Sequence, residues 1–530
     1  MSKCFIKNKI GLNTIWIILS MIVITLVTIF AAMHNYGMGG DEVFSYISST
    51  SMGGYKKVCY LKDQTWYDAQ YFSNALTTTG SERFNIKMVF DNQAMDTHPP
   101  LFYVMLNLIC SFFPGVFSRW FGIILNLAFM LGTDYVLYLL IDYFLKNRKL
   151  SLLLSTIFCC SSFAVYMVLF IRMYVMLMFF SVLQTLFHLK YYDYTENEEN
   201  STRKERCGKY VCLFVITFLG AMTHYYFLAF QFLISVTLII CLAVKKRRKS
   251  IIRYMLSMIL CAITYICCYP AAITHIFLKY RGRDAVHKFL KTNTFFDESV
   301  SMFRQFNNDT FRGTLGIIIT LLIVLTVIGT IRKKVAVKVI GKGFILIMPL
   351  IIYFCCISKA SPFVTERYIS PVAALIYVFV IVWLFYVVDR CFTGLHKRIT
   401  SVVLCAIIFM TTFYVGEPVK DNYFSEREQI INRLAKTTDY CVYISGDKFD
   451  WKMWEDYINY PQFNALYFID GANMNPITDD KMLSQGKMVI YIDKALDLAD
   501  TEHYLASYMP DLNYKTVYET NYTYIVDAEK

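Results

Sequence analysis

The feature that most limits what this chain can become is a series of apolar blocks, each close to twenty residues long, that recurs as far as residue 415. As a helix, a block of that length matches the ~30 Å hydrocarbon core of a bilayer. The blocks fall at 12–32, 118–144, 150–168, 172–192, 209–225, 227–244, 251–270, 313–331, 340–357, 367–388 and 399–415. Only 17% of the 530 residues are charged and 56% are hydrophobic, too few polar side chains to cover a water-soluble surface. The expected fold class is therefore an α-helical polytopic membrane protein with about eleven transmembrane helices.

Basic residues cluster between the blocks and set the orientation. Lys3, Lys7 and Lys9, the run Lys146-Asn147-Arg148-Lys149, Thr202–Arg206, Lys245–Lys249, Arg332-Lys333-Lys334 and His396-Lys397-Arg398 all fall on one side of such a bundle. The positive-inside rule makes that side cytoplasmic, together with the N-terminus. This also accounts for the net charge of +12 without invoking nucleic acid. The first block reads as a span rather than a cleaved signal peptide. Many of the 16 cysteines lie inside apolar blocks as small hydrophobes, and none has metal-ligand spacing.

Three segments are then external: a first loop at 33–117, a basic loop at 271–312, and the tail from 416. Residues 101–113, LFYVMLNLICSFF, are too short to cross and are stopped by Pro114-Gly115. They read as a helix lying in the outer interface. The chain thus divides into a membrane module, 1–415, and an extracytoplasmic domain, 416–530. In the latter, β-type runs CVYIS (441–445), ALYFI (465–469), MVIYI (488–492) and YTYIV (522–526) alternate with helical stretches at 425–436 and 498–508. That alternation predicts a small α/β domain.

Two motifs in the first loop carry chemistry. Gly39-Gly40-Asp41-Glu42 follows the first span directly, and a carboxylate there can take a proton from a hydroxyl. Acids also favour helix N-termini, so the pair could equally serve as a cap. Asp96-Thr97-His98-Pro99-Pro100 ends the loop, where two prolines fix an extended entry to the interfacial helix and present His98. Further on come Ile171-Arg172-Met173-Tyr174, Thr223-His224-Tyr225-Tyr226 and Glu366-Arg367-Tyr368, each at an expected outer span end.

Together these motifs resemble the glycosyltransferase family 39-like superfamily, which includes the protein O-mannosyltransferases and the lipid A aminoarabinose transferases. The resemblance covers residues 1–415 and rests on Asp41-Glu42, His98-Pro99-Pro100-Leu101, Ser118-Arg119, Arg172-x-Tyr174, Thr223-His224-Tyr225 and Arg367-Tyr368. It implies a GT-C fold and transfer of a monosaccharide from a polyprenyl-phosphate donor at the outer membrane face. It maps the catalytic base onto Asp41, with Glu42 beside it, and carrier-phosphate contacts onto Arg172 and Arg367. Asp96, His98, Tyr174 and His224 join them as substrate-binding candidates, because ionisable groups gathered at membrane depth are costly without a task.

The basic external loop adds Arg281 and Arg283, flanked by Lys279, Lys288 and Lys291, either as a lid that contacts the donor phosphate or as a contact for an anionic acceptor or lipid headgroups. The second external turn, 161–171, holds no acid, so neither a metal nor another cofactor is expected. Expected partners are the lipid-linked donor, membrane lipids and a glycan, lipid or protein acceptor. The competing readings are a transporter or lipid flippase, disfavoured by the lack of internal repeats, and a non-catalytic sensor.

Overall fold

A computed structural model of the chain describes residues 2–35, 37–196, 198, 202–290, 294–332, 341–414, 425–447 and 451–530. The chain is an α-helical polytopic membrane protein with a small C-terminal sheet domain. Among the described residues, seven helices are long and apolar enough to cross a membrane, or eight if a bent pair counts as one. The seven are Thr14–His34, Arg119–Leu145, Tyr225–Val244, Arg248–Cys268, Lys342–Ala360, Glu366–Cys391 and Gly394–Thr412.

The other expected spans are helical but less simple. Tyr174–Tyr194 carries Gln184, His188 and Lys190, and Arg203–Ala221 begins with a basic turn. The block at 150–168 is broken into Arg148–Cys159 and Ser162–Leu169, the second half capped by the Ser161 hydroxyl, which accepts from the Ala164 N–H at 3.2 Å. Phe295–Phe311 meets Leu315–Ile331 at a bend of 93°. Arg312 and Gly313 make that bend in the left-handed region, at φ 47° and 80°. Leu101–Ser111 is an 11-residue helix, about 16 Å long and far short of a crossing.

The backbone forms two compact units. One comprises Met1–Ala31, Thr97–Phe102 and Ile124–Glu417, and contains most of the helices. The other comprises Ala32–Asp96, Tyr103–Ile123 and Pro418–Lys530.

A six-stranded mixed sheet forms the second unit, in the order β1-β3-β2-β4-β6-β5. Its strands are β1 (Thr65–Asp68), β2 (Tyr440–Ser445), β3 (Ala465–Asp470), β4 (Lys487–Asp493), β5 (Asn513–Glu519) and β6 (Thr523–Glu529). The central strands β3, β2 and β4 run parallel and are buried almost throughout, as continuous apolar runs such as CVYIS and MVIYI require. β5, half-buried to exposed and interrupted by a register shift between Thr516 and Tyr518, sits at an edge.

The other edge comes from the first loop. β1 pairs antiparallel with β3, Trp66 opposite Tyr467, so this unit reaches well beyond the tail that the sequence delimits at 416–530. The Trp66 ring packs on Tyr467 at 4.9 Å and its indole N–H donates to Asp479 at 3.1 Å, anchoring a strand only four residues long. Beneath the sheet, Arg427 and Asp456 form a fully buried ion pair at 3.0 Å, and Thr523 donates to the same carboxylate at 3.0 Å.

Candidate active site

In the helical unit, four chain turns bring a set of buried polar side chains together. After Ser162–Leu169 ends, the chain makes a non-helical turn in which the Arg172 N–H donates to the Phe170 carbonyl at 2.7 Å. Arg172 is buried in that turn, and Tyr174 opens the next helix. His224 occupies the turn between Arg203–Ala221 and Tyr225–Val244. Its Nδ1 accepts from the Tyr226 N–H at 3.0 Å, so the neutral ring carries its proton on Nε2. Gly220 permits this turn: a Cβ there would sit 2.3 Å from the Phe227 ring.

His98 reaches the same place from the Pro-Pro segment. Tyr269 donates to the His98 carbonyl at 3.1 Å, and the Leu101 N–H donates to the Met222 carbonyl at 3.0 Å, fixing the segment beside His224. The His98 and His224 rings lie 5.7 Å apart, and Tyr174 lies 5.8 Å from His224. Tyr226 continues the cluster, 4.6 Å from His224 and 5.4 Å from Tyr368. Arg367 enters from a short 3₁₀ turn, Glu366–Ile369, its guanidinium over the Phe170 ring at 5.8 Å and the Tyr368 ring at 5.2 Å. Tyr353 donates to the Tyr368 carbonyl at 3.0 Å and holds that turn. Five residues expected from separate motifs, His98, Arg172, Tyr174, His224 and Arg367, thus stand on three neighbouring turns and the Pro-Pro entry of one unit.

The acidic candidates belong to the sheet unit. Gly39 precedes the helix Gly40–Thr50, and the Glu42 carboxylate accepts from the Gly39 N–H at 2.8 Å. Glu42 is therefore occupied as the helix cap, while Asp41 stays half-buried in the first turn. Asp96 ends the helix Ile86–Met95, its N–H donating to the Asn92 carbonyl at 3.2 Å.

Sequence reasoning missed one carboxylate here, Glu455. It packs so tightly on the loop that a Cβ on Gly40 would come within 2.9 Å of its Oε1. Burial first, then the charges of Asp456 and Asp41, push Glu455 up to about 7, against the Gly40 N–H and the Arg427 guanidinium. Its only signal in the sequence was the glycine pair opposite it.

The basic loop forms the helices Ala271–Phe277, Tyr280–Leu290 and Phe295–Phe311. Arg283 is exposed on the second of these, whereas the Arg281 side chain and Lys291 lie outside the described residues. Two lysines of the region have structural work. Lys288 donates to the carbonyls of Ser361 and Pro362 at 3.1 and 2.9 Å, and buried Lys359 pairs with Glu298 at 2.9 Å. Among the described residues, no group of three His, Cys, Asp or Glu side chains could hold a metal ion.

No protein-family model and no curated protein matches this sequence. The fold is nevertheless shared with solved structures of a membrane protein. Two solved structures of ArnT from Cupriavidus metallidurans carry the likeness, one bound to undecaprenyl phosphate and one in the apo state, with TM-scores of 0.53 and 0.52. Each is 12% identical and covers 97% of this chain and 98% of its own, so the shared fold runs nearly end to end.

Proposed function

We propose that this protein is a membrane glycosyltransferase that moves a monosaccharide from a polyprenyl-phosphate donor to a hydroxyl acceptor at the outer membrane face. In this reading the N-terminus is cytoplasmic and the C-terminal domain extracytoplasmic. The observation that carries it is the cluster of buried His98, Arg172, Tyr174 and His224 with half-buried Arg367 in a GT-C fold. Membrane proteins rarely bury such groups without a substrate to serve.

Each residue receives a role. Asp41 takes the proton of the acceptor hydroxyl as its oxygen attacks the anomeric carbon. The bond from that carbon to the phosphate oxygen breaks, and the electron pair leaves with the polyprenyl phosphate. Arg172 and Arg367 hold the phosphate, two of whose oxygens match the planar fork of a guanidinium. His224 supplies a donor through Nε2, and His98 a second ring beside it. Tyr174 shapes the sugar side with its ring, and Arg283 contacts the donor from the exposed helix. The acceptor is a cell-envelope glycan, a lipid or a protein.

The test is mass spectrometry of lipid-linked sugars and surface glycans in cells with and without the protein. Loss of the protein should leave a polyprenyl-phosphate monosaccharide accumulated and one surface sugar missing. If neither pool changes while the donor is present, the assignment fails.

A further inference from the structure

Within the helical unit a cavity of about 1950 Å³ opens among helix ends. It lies between the C-terminal ends of Arg119–Leu145 and Ser370–Cys391 and the N-terminal ends of Lys342–Ala360 and Gly394–Thr412. These are ends that the positive-inside rule assigns to the cytoplasmic side. Six of its described lining residues are basic: Lys146, Arg148, Lys149, Arg390, Lys397 and Arg398. One is acidic, Asp389, and its carboxylate already contacts Lys397.

A single cation at a span end needs no ligand, because it can snorkel to water. Five of the six are exposed, so water screens them, but grouped around one cavity they still leave a positive field that an anion among them relieves. The remaining wall is apolar, with Phe344, Ile347, Phe379, Val382 and Trp383. A free phosphate would satisfy the cations and leave that wall bare. The volume also exceeds the ~300–1000 Å³ common for small-molecule pockets. What matches both walls is an amphiphile with an anionic head.

We propose that this cavity binds an anionic phospholipid of the adjacent leaflet, with its phosphate among Arg148, Arg390 and Arg398 and an acyl chain along Phe344, Phe379 and Trp383. Basic pockets between transmembrane helices recognise anionic headgroups in this way. The site is independent of the transfer reaction proposed above.

Native mass spectrometry of the full-length protein, presented with equal amounts of phosphatidylglycerol and phosphatidylcholine, tests it. The wild type should retain phosphatidylglycerol at least tenfold in excess, and the triple variant Arg148→Gln, Arg390→Gln, Arg398→Gln should lose that excess while binding phosphatidylcholine as before. The wild type alone gives a second arm that depends on no variant, the addition of millimolar inorganic phosphate. Retention of the phosphatidylglycerol supports a lipid site, whereas its complete displacement makes this a site for free phosphate and overturns the proposal. Equal retention of the two lipids, or an unchanged excess in the folded triple variant, overturns it as well.

Discussion

The two compact units place their inward-facing arginines in different company. In the sheet unit, Arg427 is fully buried and meets the equally buried Asp456 at 3.0 Å. In the helical unit, Arg367 lies over the rings of Phe170 and Tyr368, and Arg172 is buried in the turn between Phe170 and Tyr174. A guanidinium matched to a carboxylate inside a domain holds the domain together. One set against ring faces is oriented by them while its N–H groups point along its own plane, the geometry that a phosphate uses. We propose that the first kind of arginine serves the fold and the second serves a substrate, a difference that experiment can break.

The largest expected effect is on stability. Arg427→Leu leaves the Asp456 carboxylate buried without its cation, and should destabilise the sheet unit by about 3–5 kcal/mol. A thermal melt of the full chain measures it. If the variant unfolds with the wild type, Arg427 does not anchor the sheet unit. Arg172→Ala should reverse the pattern, with a small shift in melting and a fall of about 10²–10³ in transfer rate, the loss seen when one preorganised donor to a developing charge is removed. Equal effects of the two substitutions on both readouts would erase the distinction.

Glu455 gives a smaller, pH-dependent effect. Because burial raises its carboxyl from 4.5 to about 7 in the folded protein, the folded state keeps a proton that the unfolded chain has already released. Its contribution is fully present below pH 4.5 and is lost as pH rises through about 7, a change on the order of 3 kcal/mol. Melts at pH 5 and pH 8 should differ more for the wild type than for Glu455→Gln. A wild type and variant with the same pH slope would show that Glu455 titrates normally.

Sequence and structure agree where a single physical rule decides the outcome. Apolar length placed the helices, and continuous apolar runs placed β2, β3, β4 and β6 within a residue or so at their starts. The helices at Ser425–Leu434 and Leu498–Tyr508 were equally readable. What escaped was set by tertiary packing. β1 is TWYD, too short and polar to declare itself, and becomes a strand because Trp66 packs on Tyr467. β5 is an edge strand of mostly polar residues with a register shift in its middle, and such strands look like loops.

The break at Cys160-Ser161 carries no proline or glycine, only a serine that turns out to be a cap. In the helical unit, His98, Arg172, Tyr174, His224 and Arg367, which the fold gathers together, could be picked out in advance, since His, Arg and Tyr at span ends are conspicuous against an apolar background. Glu455 was hidden among 20 acidic residues of the tail, and only its approach to Gly40 singles it out.

The most direct test of the account is donor turnover by the purified protein in proteoliposomes, using a labelled polyprenyl-phosphate monosaccharide and comparing wild type with Asp41→Asn. The substitution keeps the size of the side chain and removes the base. The account predicts a loss of about 10²–10⁴ in sugar transfer with an unchanged melting temperature. Transfer by a folded Asp41→Asn protein at the wild-type rate would contradict it.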